Sequence, residues 1–211
     1  MHKAVLFDLD GTLVDSSEGI LKAAREALDS LDINDVTDEQ IRACIGPPIG
    51  ESLSQVRGFS EEQKRQFYDV FRPTYRDKYL FQCSLYPGIV SLIEGLKGRG
   101  HVVGIVTNKK IDSTTLLLDH LGIASLFDVV VAQDNAVTKE KSSMIVHALE
   151  ILKISKDEAV MVGDSNNDLD AAKGAGVSFI GVRYGFGLKE TVCSDVLLVD
   201  TVDELKALFL E

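Results

Sequence analysis

The chain has 211 residues, a formal net charge of −11 and 45% hydrophobic residues, with no tryptophan. This length fits one domain or one domain with an insertion, and the apolar fraction is that of an ordinary globular protein. The acidic balance argues against a surface for nucleic acid or for an anionic membrane, because both need clustered basic residues. We therefore expect a small-molecule partner, no nucleic acid and no membrane.

The cysteines Cys44, Cys83 and Cys193 are widely spaced. An odd number without paired spacing predicts neither a disulfide framework nor a zinc site, so we expect reduced thiols that mainly pack. No apolar stretch reaches membrane-spanning length, and Asp8 comes too early for a signal peptide. These features predict a cytoplasmic location.

The first predicted element is a buried strand from Ala4 to Phe7, which leads directly into Asp8-Leu9-Asp10-Gly11-Thr12. Open α/β sheets bind their ligands at the carboxyl ends of the strands. Since side chains alternate along a strand, Asp8 and Asp10 would project the same way and crowd one spot. Two like charges this close favour a cation, a shared proton or a positively charged substrate group. An ordinary Asp-Gly turn after a strand is the alternative.

Residues 15–84, called here the helical insertion, show no strand-like run. Asp15-Ser16-Ser17 is a good helix start, and the turn Tyr86-Pro87-Gly88 returns the chain to the core. Pro73 falls inside the last helix of the insertion and is expected to kink or divide it. The sequence therefore predicts a core of residues 1–14 and 85–211 with an all-helical unit after its first strand. Apolar residues recur at helical spacing in this unit: Ile20, Leu21, Ala24, Leu28 and Leu31, and then Phe67, Phe71 and Tyr75.

The rest of the chain alternates apolar runs with segments of helical spacing. Continuous β-branched runs are typical of parallel strands that are covered by helices on both faces. The sequence therefore predicts an α/β protein with a doubly wound, Rossmann-like parallel sheet. The runs are 102–106, 129–131, 159–162, 179–182 and 196–199.

Two of these strands end in polar residues. Thr107 and Asn108 follow the run 102–106, where a hydroxyl and backbone N–H groups can hold a phosphate; a helix-entry turn is the alternative. Asp164 and Asp168 follow a later run and would add two carboxylates, which are ligands that Mg²⁺ prefers. Alternatively, Asp164 caps a helix and Asp168 is solvated.

Lys139 and Lys141 stand ahead of a predicted helix that contains Met144 and Ile145. A lysine near a helix start opposes the helix dipole, which indicates another role, although a solvated surface lysine is the alternative. A helix that begins near Lys141 would bury Met144 and Ile145 and aim Lys141 over the sheet edge. We therefore favour Lys141 as the functional lysine, with Lys139 as the alternative.

Taken in order, these residues resemble the motifs of the haloacid dehalogenase superfamily along the whole chain. Asp8 to Thr12 look like the first motif, Thr107-Asn108 the second, Lys141 or Lys139 the third, and residues 163–168 the fourth. The helical insertion is similar to the cap of the branch that includes phosphoglycolate phosphatases, phosphomutases and pyrophosphatases. Three segments look most like the phosphoglycolate phosphatases: Leu13-Val14-Asp15-Ser16, Ile45-Gly46-Pro47-Pro48 and Leu85-Tyr86-Pro87-Gly88.

The resemblance implies a phosphomonoester hydrolase that forms an aspartyl-phosphate. Asp8 would attack phosphorus, and Asp10 would protonate the leaving oxygen and then take a proton from water. Mg²⁺ would be held by the Asp8 carboxylate, the Asp10 backbone carbonyl and Asp164, with Asp168 in or just behind that shell. The other phosphate oxygens would be bound by Thr107, the Asn108 backbone, and Lys141 or Lys139.

Several alternatives stay open at this point. Asp10 disfavours dehalogenase and phosphonatase chemistry, because the resemblance implies that those enzymes lack an acid two residues after the nucleophile. A phosphomutase or a pyrophosphatase uses the same acids, and a binding protein without turnover is the remote alternative. The core motifs do not specify the substrate. Candidate residues for recognising a leaving group are Gly46-Pro47-Pro48, Arg72, Arg76 and Lys78.

Overall fold

The structure is a computed structural model, in which residues 2–134, 139–188 and 196–210 are described. The strands are β1 (Ala4–Phe7), β2 (Val14–Asp15), β3 (Ser84–Leu85), β4 (Val102–Lys110), β5 (Val129–Gln133), β6 (Ala159–Gly163), β7 (Ser178–Val182) and β8 (Leu197–Val199). The α-helices are α1 (Ser17–Asp29), α2 (Asp38–Ala43), α3 (Ile49–Arg57), α4 (Glu61–Thr74), α5 (Ile89–Gly98), α6 (Ile111–His120), α7 (Lys141–Leu152), α8 (Asn166–Ala175) and α9 (Val202–Leu210).

A parallel sheet with the strand order β5-β4-β1-β6-β7-β8 forms the centre of the described chain. Strand β1 lies between β4 and β6, so that Phe7 faces Ile105 on one side and Val162 on the other. The chain runs from β1 through β4 to β5 at one edge and then crosses back to β6 and on to β8 at the other edge, so the strand order reverses beside β1. The carboxyl ends of β1, β4 and β6 therefore form the crevice where such folds bind ligands.

Helices cover both faces of this sheet. Alternate residues of β1 enter two separate cores: Val5 and Phe7 join the core under α5, α6 and α9, whereas Leu6 joins the core with Met144 and Ile145 of α7. This two-sided burial explains why the strands are continuously apolar rather than alternating. The doubly wound α/β sheet predicted from the sequence is confirmed.

The helical insertion is entered and left through a short antiparallel sheet, in which Val14 pairs with Leu85 and Asp15 with Ser84. The prediction of a strand-free insertion missed this pair, because two-residue strands carry no recognisable periodicity. Between these strands the described chain is helical, and α1 begins at Ser17 as the helix-start residues predicted.

Helix α4 changes its geometry where a proline was expected to disturb it. Its α-helical part ends at Thr74, one residue after Pro73, and a π-helical turn continues from Tyr75 to Tyr79. This turn packs closely on α1, where a Cβ at Gly19 would overlap the Tyr79 carbonyl. The aromatic rings of the last insertion helix stack in sequence, with centroids 5.3 Å apart for Phe67–Phe71 and 5.8 Å apart for Phe71–Tyr75.

Among the described residues, no helix is both long and apolar enough to cross a membrane. Cys44 is buried and Cys83 is half-buried, and both are free thiols. Cys193 lies outside the described residues.

Candidate active site

The turn that follows β1 packs directly on the turn that follows β6. Asp8 is buried at the end of β1, and its backbone N–H donates to the Val162 carbonyl over 2.9 Å. Gly11 has a φ of +83°, and a Cβ at this position would overlap the Asp164 carboxylate. Both the backbone conformation and the close approach therefore require glycine after the two aspartates.

Three buried carboxylates, those of Asp8, Asp164 and Asp168, form one group in which an oxygen of each lies within 4.8 Å of the others. Among the described residues, Lys141 is the cation that pairs with this group, with Nζ 2.7 Å from Asp8 Oδ1 and 2.5 Å from Asp168 Oδ1. One ammonium facing three carboxylates leaves the group short of positive charge. Because carboxylate oxygens are ligands of hard divalent cations, these residues can hold a metal ion.

Burial sets the electrostatics of this group. Burial, with a smaller contribution from the neighbouring Asp168 and Asp10 carboxylates, raises the pKa of Asp8 to about 7 against the opposing effect of Lys141. The pKa of Asp164 is also raised well above its usual range, by burial first and then by Asp168 and Asp8. A bound cation would favour the ionised carboxylates and lower both pKa values.

The start of α8 fixes two of the acids. Ser165 is the N-cap residue of a capping box, in which its hydroxyl accepts from the Asp168 N–H and its own N–H donates to Asp168 Oδ2 over 3.1 Å. The Ser165 hydroxyl also donates to Asp168 Oδ2 over 2.6 Å. Asp164 accepts from the Phe186 N–H over 2.7 Å and from the Thr12 hydroxyl over 3.3 Å. The alternative in which Asp164 caps the helix and Asp168 is solvated is therefore wrong, because Ser165 is the cap and Asp168 is fully buried.

The two candidate lysines lie in different environments. Lys141 is the first residue of α7 and is buried, and Met144 and Ile145 are fully buried below it. Lys139 is exposed, and its backbone is held by the Gln133 side chain, which accepts from the Lys139 N–H and donates to its carbonyl. The structure thus brings Lys141, rather than Lys139, to Asp8.

Thr107 and Asn108 lie within β4 rather than after it. The strand continues to Lys110, with an irregularity between Thr107 and Lys110, whereas the sequence predicted its end at Val106. The end was placed too early because Thr107 and the residues after it are polar. Nothing in that pattern indicates that β4 continues to pair with β5 as far as Lys110. The Thr107 side chain is buried. The Asn108 amide donates to Asn167 Oδ1 over 2.9 Å and its oxygen accepts from Gln133 Nε2 over 3.2 Å.

Asp10 pairs with a lysine that the sequence interpretation missed. Lys109 Nζ lies 2.9 Å from Asp10 Oδ2, and the Ser16 hydroxyl donates to Asp10 Oδ1 over 2.6 Å. Burial alone would lower the pKa of Lys109, but the Asp10 carboxylate and Tyr75 outweigh burial and raise it, so this lysine is an ammonium. Its position directly after Thr107-Asn108 was the only signal in the sequence.

A cavity of about 600 Å³ opens beside Asp10 between the core and the helical insertion. Of the candidate leaving-group residues, the segment 46–48, Arg72 and Arg76 line it. The Arg72 guanidinium lies 4.3 Å from the centroid of the Tyr68 ring, which also lines the cavity. Lys78 instead pairs with Glu26 over 2.6 Å.

A sheet with buried acids at the carboxyl ends of β1 and β6, and a helical insertion over them, defines a class of hydrolases. The chain belongs to the family described as haloacid dehalogenase-like hydrolase, whose sequence profile matches residues 5–182. The predictions of this family and of an enzyme of its phosphatase type are confirmed.

Similar proteins cover nearly the whole chain. A 5'-nucleotidase of Pseudomonas aeruginosa is 32% identical over 88% of this chain and 85% of its own length. A phosphoglycolate phosphatase of Chromobacterium violaceum is 31% identical over 96% of this chain and 94% of its own. The crystal structure of a predicted phosphatase from Clostridium acetobutylicum superimposes with a TM-score of 0.92, at 33% identity, over 100% of this chain and 99% of that one.

Proposed function

We propose that this chain hydrolyses phosphomonoesters of small metabolites in a Mg²⁺-dependent reaction through an aspartyl-phosphate on Asp8. The observation that carries the proposal is the buried group of Asp8, Asp164 and Asp168 with Lys141 between two of them. Buried carboxylates without enough positive charge are costly, so such a group favours a role in binding a cation. Family membership supports the same chemistry.

Each residue has a role that its position supports. Asp8 is the nucleophile, and Lys141 holds its carboxylate in place and faces the oxygens of the transferring phosphoryl group. Asp10, at the cavity wall, donates a proton to the leaving oxygen and then accepts one from water. Thr107 and the Asn108 backbone bind the remaining phosphoryl oxygens.

The Asp8 carboxylate, the Asp10 carbonyl and Asp164 would hold Mg²⁺, with Asp168 in or just behind that shell. When bound, the ion supplies charge that offsets the repulsion between the phosphoryl group and the carboxylate nucleophile. Asp168 contributes in a second way, because it also holds the Lys141 ammonium at 2.5 Å.

The chain divides into two units in this proposal: a catalytic core of residues 1–14 and 85–211, and the helical insertion 15–84 as a cap. The paired connections Val14–Leu85 and Asp15–Ser84 support this division, because the chain enters and leaves the insertion at one place. Closing the cap over the crevice would exclude water from all but the intended step.

The leaving group occupies the cavity between the two units. Phosphoglycolate and nucleoside monophosphates are both candidate substrates, because the similar proteins include a phosphoglycolate phosphatase and a 5'-nucleotidase. A cavity of about 600 Å³ lies in the range usual for small-molecule sites and is large enough for the bulkier class.

The test is phosphate release from a panel of esters with Mg²⁺, including phosphoglycolate, sugar phosphates, nucleoside monophosphates and pyrophosphate. We expect release from at least one phosphomonoester, and none from Asp8→Asn. Transfer of the phosphoryl group to a second sugar hydroxyl without release would indicate a phosphomutase. Preferred cleavage of pyrophosphate would indicate a pyrophosphatase. Tight phosphate binding without turnover would favour a binding protein.

A further inference from the structure

Lys109 joins the proposed acid to the helical insertion through contacts on both sides of its ammonium. Its side chain is 6% exposed, and Nζ lies 2.9 Å from Asp10 Oδ2. The same nitrogen donates to the Tyr75 hydroxyl over 2.9 Å and lies 4.5 Å from the centroid of that ring. Lys109 thus belongs to the core strand β4, whereas Tyr75 belongs to the insertion.

These contacts fix the orientation of the Asp10 carboxyl group. Lys109 holds one oxygen, and the Ser16 hydroxyl holds the other over 2.6 Å. A short side chain with a single anchor would still rotate about χ2, which is a broad torsion for aspartate. Two anchors on opposite oxygens remove that freedom. Orientation matters because a misplacement of about 1 Å in a reacting group can cost on the order of a hundredfold in rate.

Tyr75 is itself held by the packing of the insertion. It is 6% exposed and begins the π-helical turn, and its ring stacks on Phe71 with centroids 5.8 Å apart. Close packing of Gly19 against Tyr79 fixes the other end of that turn. The hydroxyl of Tyr75 therefore reaches Lys109 only when the insertion lies against the core as it does here.

We propose that Lys109 and Tyr75 are positioning residues that align Asp10 for proton transfer, so that docking of the helical insertion completes the acid. The proposal deepens the proposed phosphatase function and rests on it. Neither residue needs to touch the phosphoryl group. Lys109 acts on Asp10, and Tyr75 acts on Lys109.

The test compares two aryl phosphates of nearly equal shape: phenyl phosphate, whose leaving group needs a proton, and p-nitrophenyl phosphate, whose leaving group needs little help. Steady-state kcat/KM, which reports the step in which the leaving group departs and not the later hydrolysis of the aspartyl-phosphate common to both substrates, is measured for the wild type, Asp10→Asn, Lys109→Met and Tyr75→Phe. Folding is checked by circular dichroism. Tyr79→Phe is the matched control, because its hydroxyl bonds Glu26 within the insertion instead of Lys109.

We expect Lys109→Met to lower kcat/KM for phenyl phosphate on the order of a hundredfold, as for a misaligned acid, and to change kcat/KM for p-nitrophenyl phosphate far less. Asp10→Asn should show the same selectivity, Tyr75→Phe a smaller form of it, and Tyr79→Phe the wild-type ratio. The double variant Lys109→Met/Tyr75→Phe should be no worse than Lys109→Met alone, because Tyr75 acts through Lys109.

An equal loss on both substrates in Lys109→Met and Tyr75→Phe would overturn the inference, as would a loss in Tyr79→Phe that matches Tyr75→Phe. If Lys109→Met does not fold, the inference is tested by Tyr75→Phe alone, through its relative loss on phenyl phosphate and p-nitrophenyl phosphate. Failure of the proposed function gives a different result: Asp8→Asn would then retain turnover, or Asp10→Asn would lose both substrates equally, whatever the Lys109 variants do.

Discussion

Lys141 Nζ lies 2.7 Å from Asp8 Oδ1 although Lys141 is the first residue of α7. The amino end of a helix favours anions, so the helix itself disfavours a lysine there. The carboxylates of Asp8 and Asp168 outweigh that effect and raise the pKa of Lys141 above its usual range against the opposing effect of burial. Lys141 is therefore stabilised as an ammonium by its contacts with the Asp8 and Asp168 carboxylates and not by its place in the helix.

We expect Asp8→Asn to abolish phosphate release while the protein stays folded. The carboxamide is not a useful nucleophile, and Lys141 keeps its contact with Asp168. The measurement is turnover of the best ester from the panel, with thermal unfolding as the folding control. Activity near that of the wild type would remove Asp8 from the mechanism.

Lys141→Ala and Lys139→Ala form a matched pair. Loss of Lys141 leaves buried carboxylates and the incoming phosphoryl group short of one cation, so we expect kcat to fall on the order of a hundredfold or more. Lys139 is exposed, and its contacts with Gln133 come from its backbone, so its variant should change kcat little. A large loss of kcat in Lys139→Ala, with none in Lys141→Ala, would show that the wrong lysine has been assigned.

Protons should compete with Mg²⁺ for the acid group. Because the pKa of Asp8 is about 7, the apparent Mg²⁺ affinity should weaken as pH falls below that value, by up to about tenfold per pH unit for one displaced proton. Chelator should abolish activity and Mg²⁺ should restore it, with Ca²⁺ a poor substitute. Titrations of activity against Mg²⁺ at several pH values test this, and full activity in excess chelator would contradict it.

The same pKa shift predicts a stability effect. A carboxyl whose pKa is raised in the folded state stabilises the fold below its unfolded pKa, and that contribution is lost as pH rises through the folded pKa. For the Asp8 carboxyl the loss spans the pH range from its ordinary pKa of 3.8 to its raised pKa of about 7. In chelator the unfolding temperature should therefore fall over this range, and Mg²⁺ should raise it more at pH 8 than at pH 5. An equal Mg²⁺ effect at both pH values would count against this.

Asp164→Ala and Asp168→Ala should differ in their effects on the Mg²⁺ requirement and on the free energy of unfolding. Asp164→Ala should raise the Mg²⁺ concentration needed for half-maximal activity more than Asp168→Ala does. Asp168→Ala also removes the side-chain half of the capping box of α8, in which the Asp168 carboxylate accepts from the Ser165 N–H, and the loss of this hydrogen bond should lower the free energy of unfolding by about 1 kcal/mol. Metal titration and denaturant unfolding separate the two effects, and equal effects on both measurements would leave the metal ligands unassigned.

The sequence predicted the sheet and the positions of Asp8, Asp10, Asp164 and Asp168 at its edge because each acid follows a continuous apolar run. Local pattern is enough for such residues, since the parallel sheet brings the strand ends together. Lys109 and Tyr75 could not be predicted in this way. Their partnership depends on how the helical insertion packs against the core, and an isolated lysine or tyrosine gives no signal of its tertiary partner. The pairing of β2 with β3 was missed for another reason, because strands of two residues carry no recognisable periodicity.

The central place of β1 in the sheet has a consequence for the order of assembly. Its residue Ala4 pairs with Val102 on one side and with Ala159 on the other. The strand that is synthesised first therefore pairs only with strands that are synthesised much later. Contacts between such distant segments slow folding, because a long loop must close before they can form. During synthesis Asp8 therefore reaches its carboxylate and ammonium neighbours only after β6 and α8 have emerged.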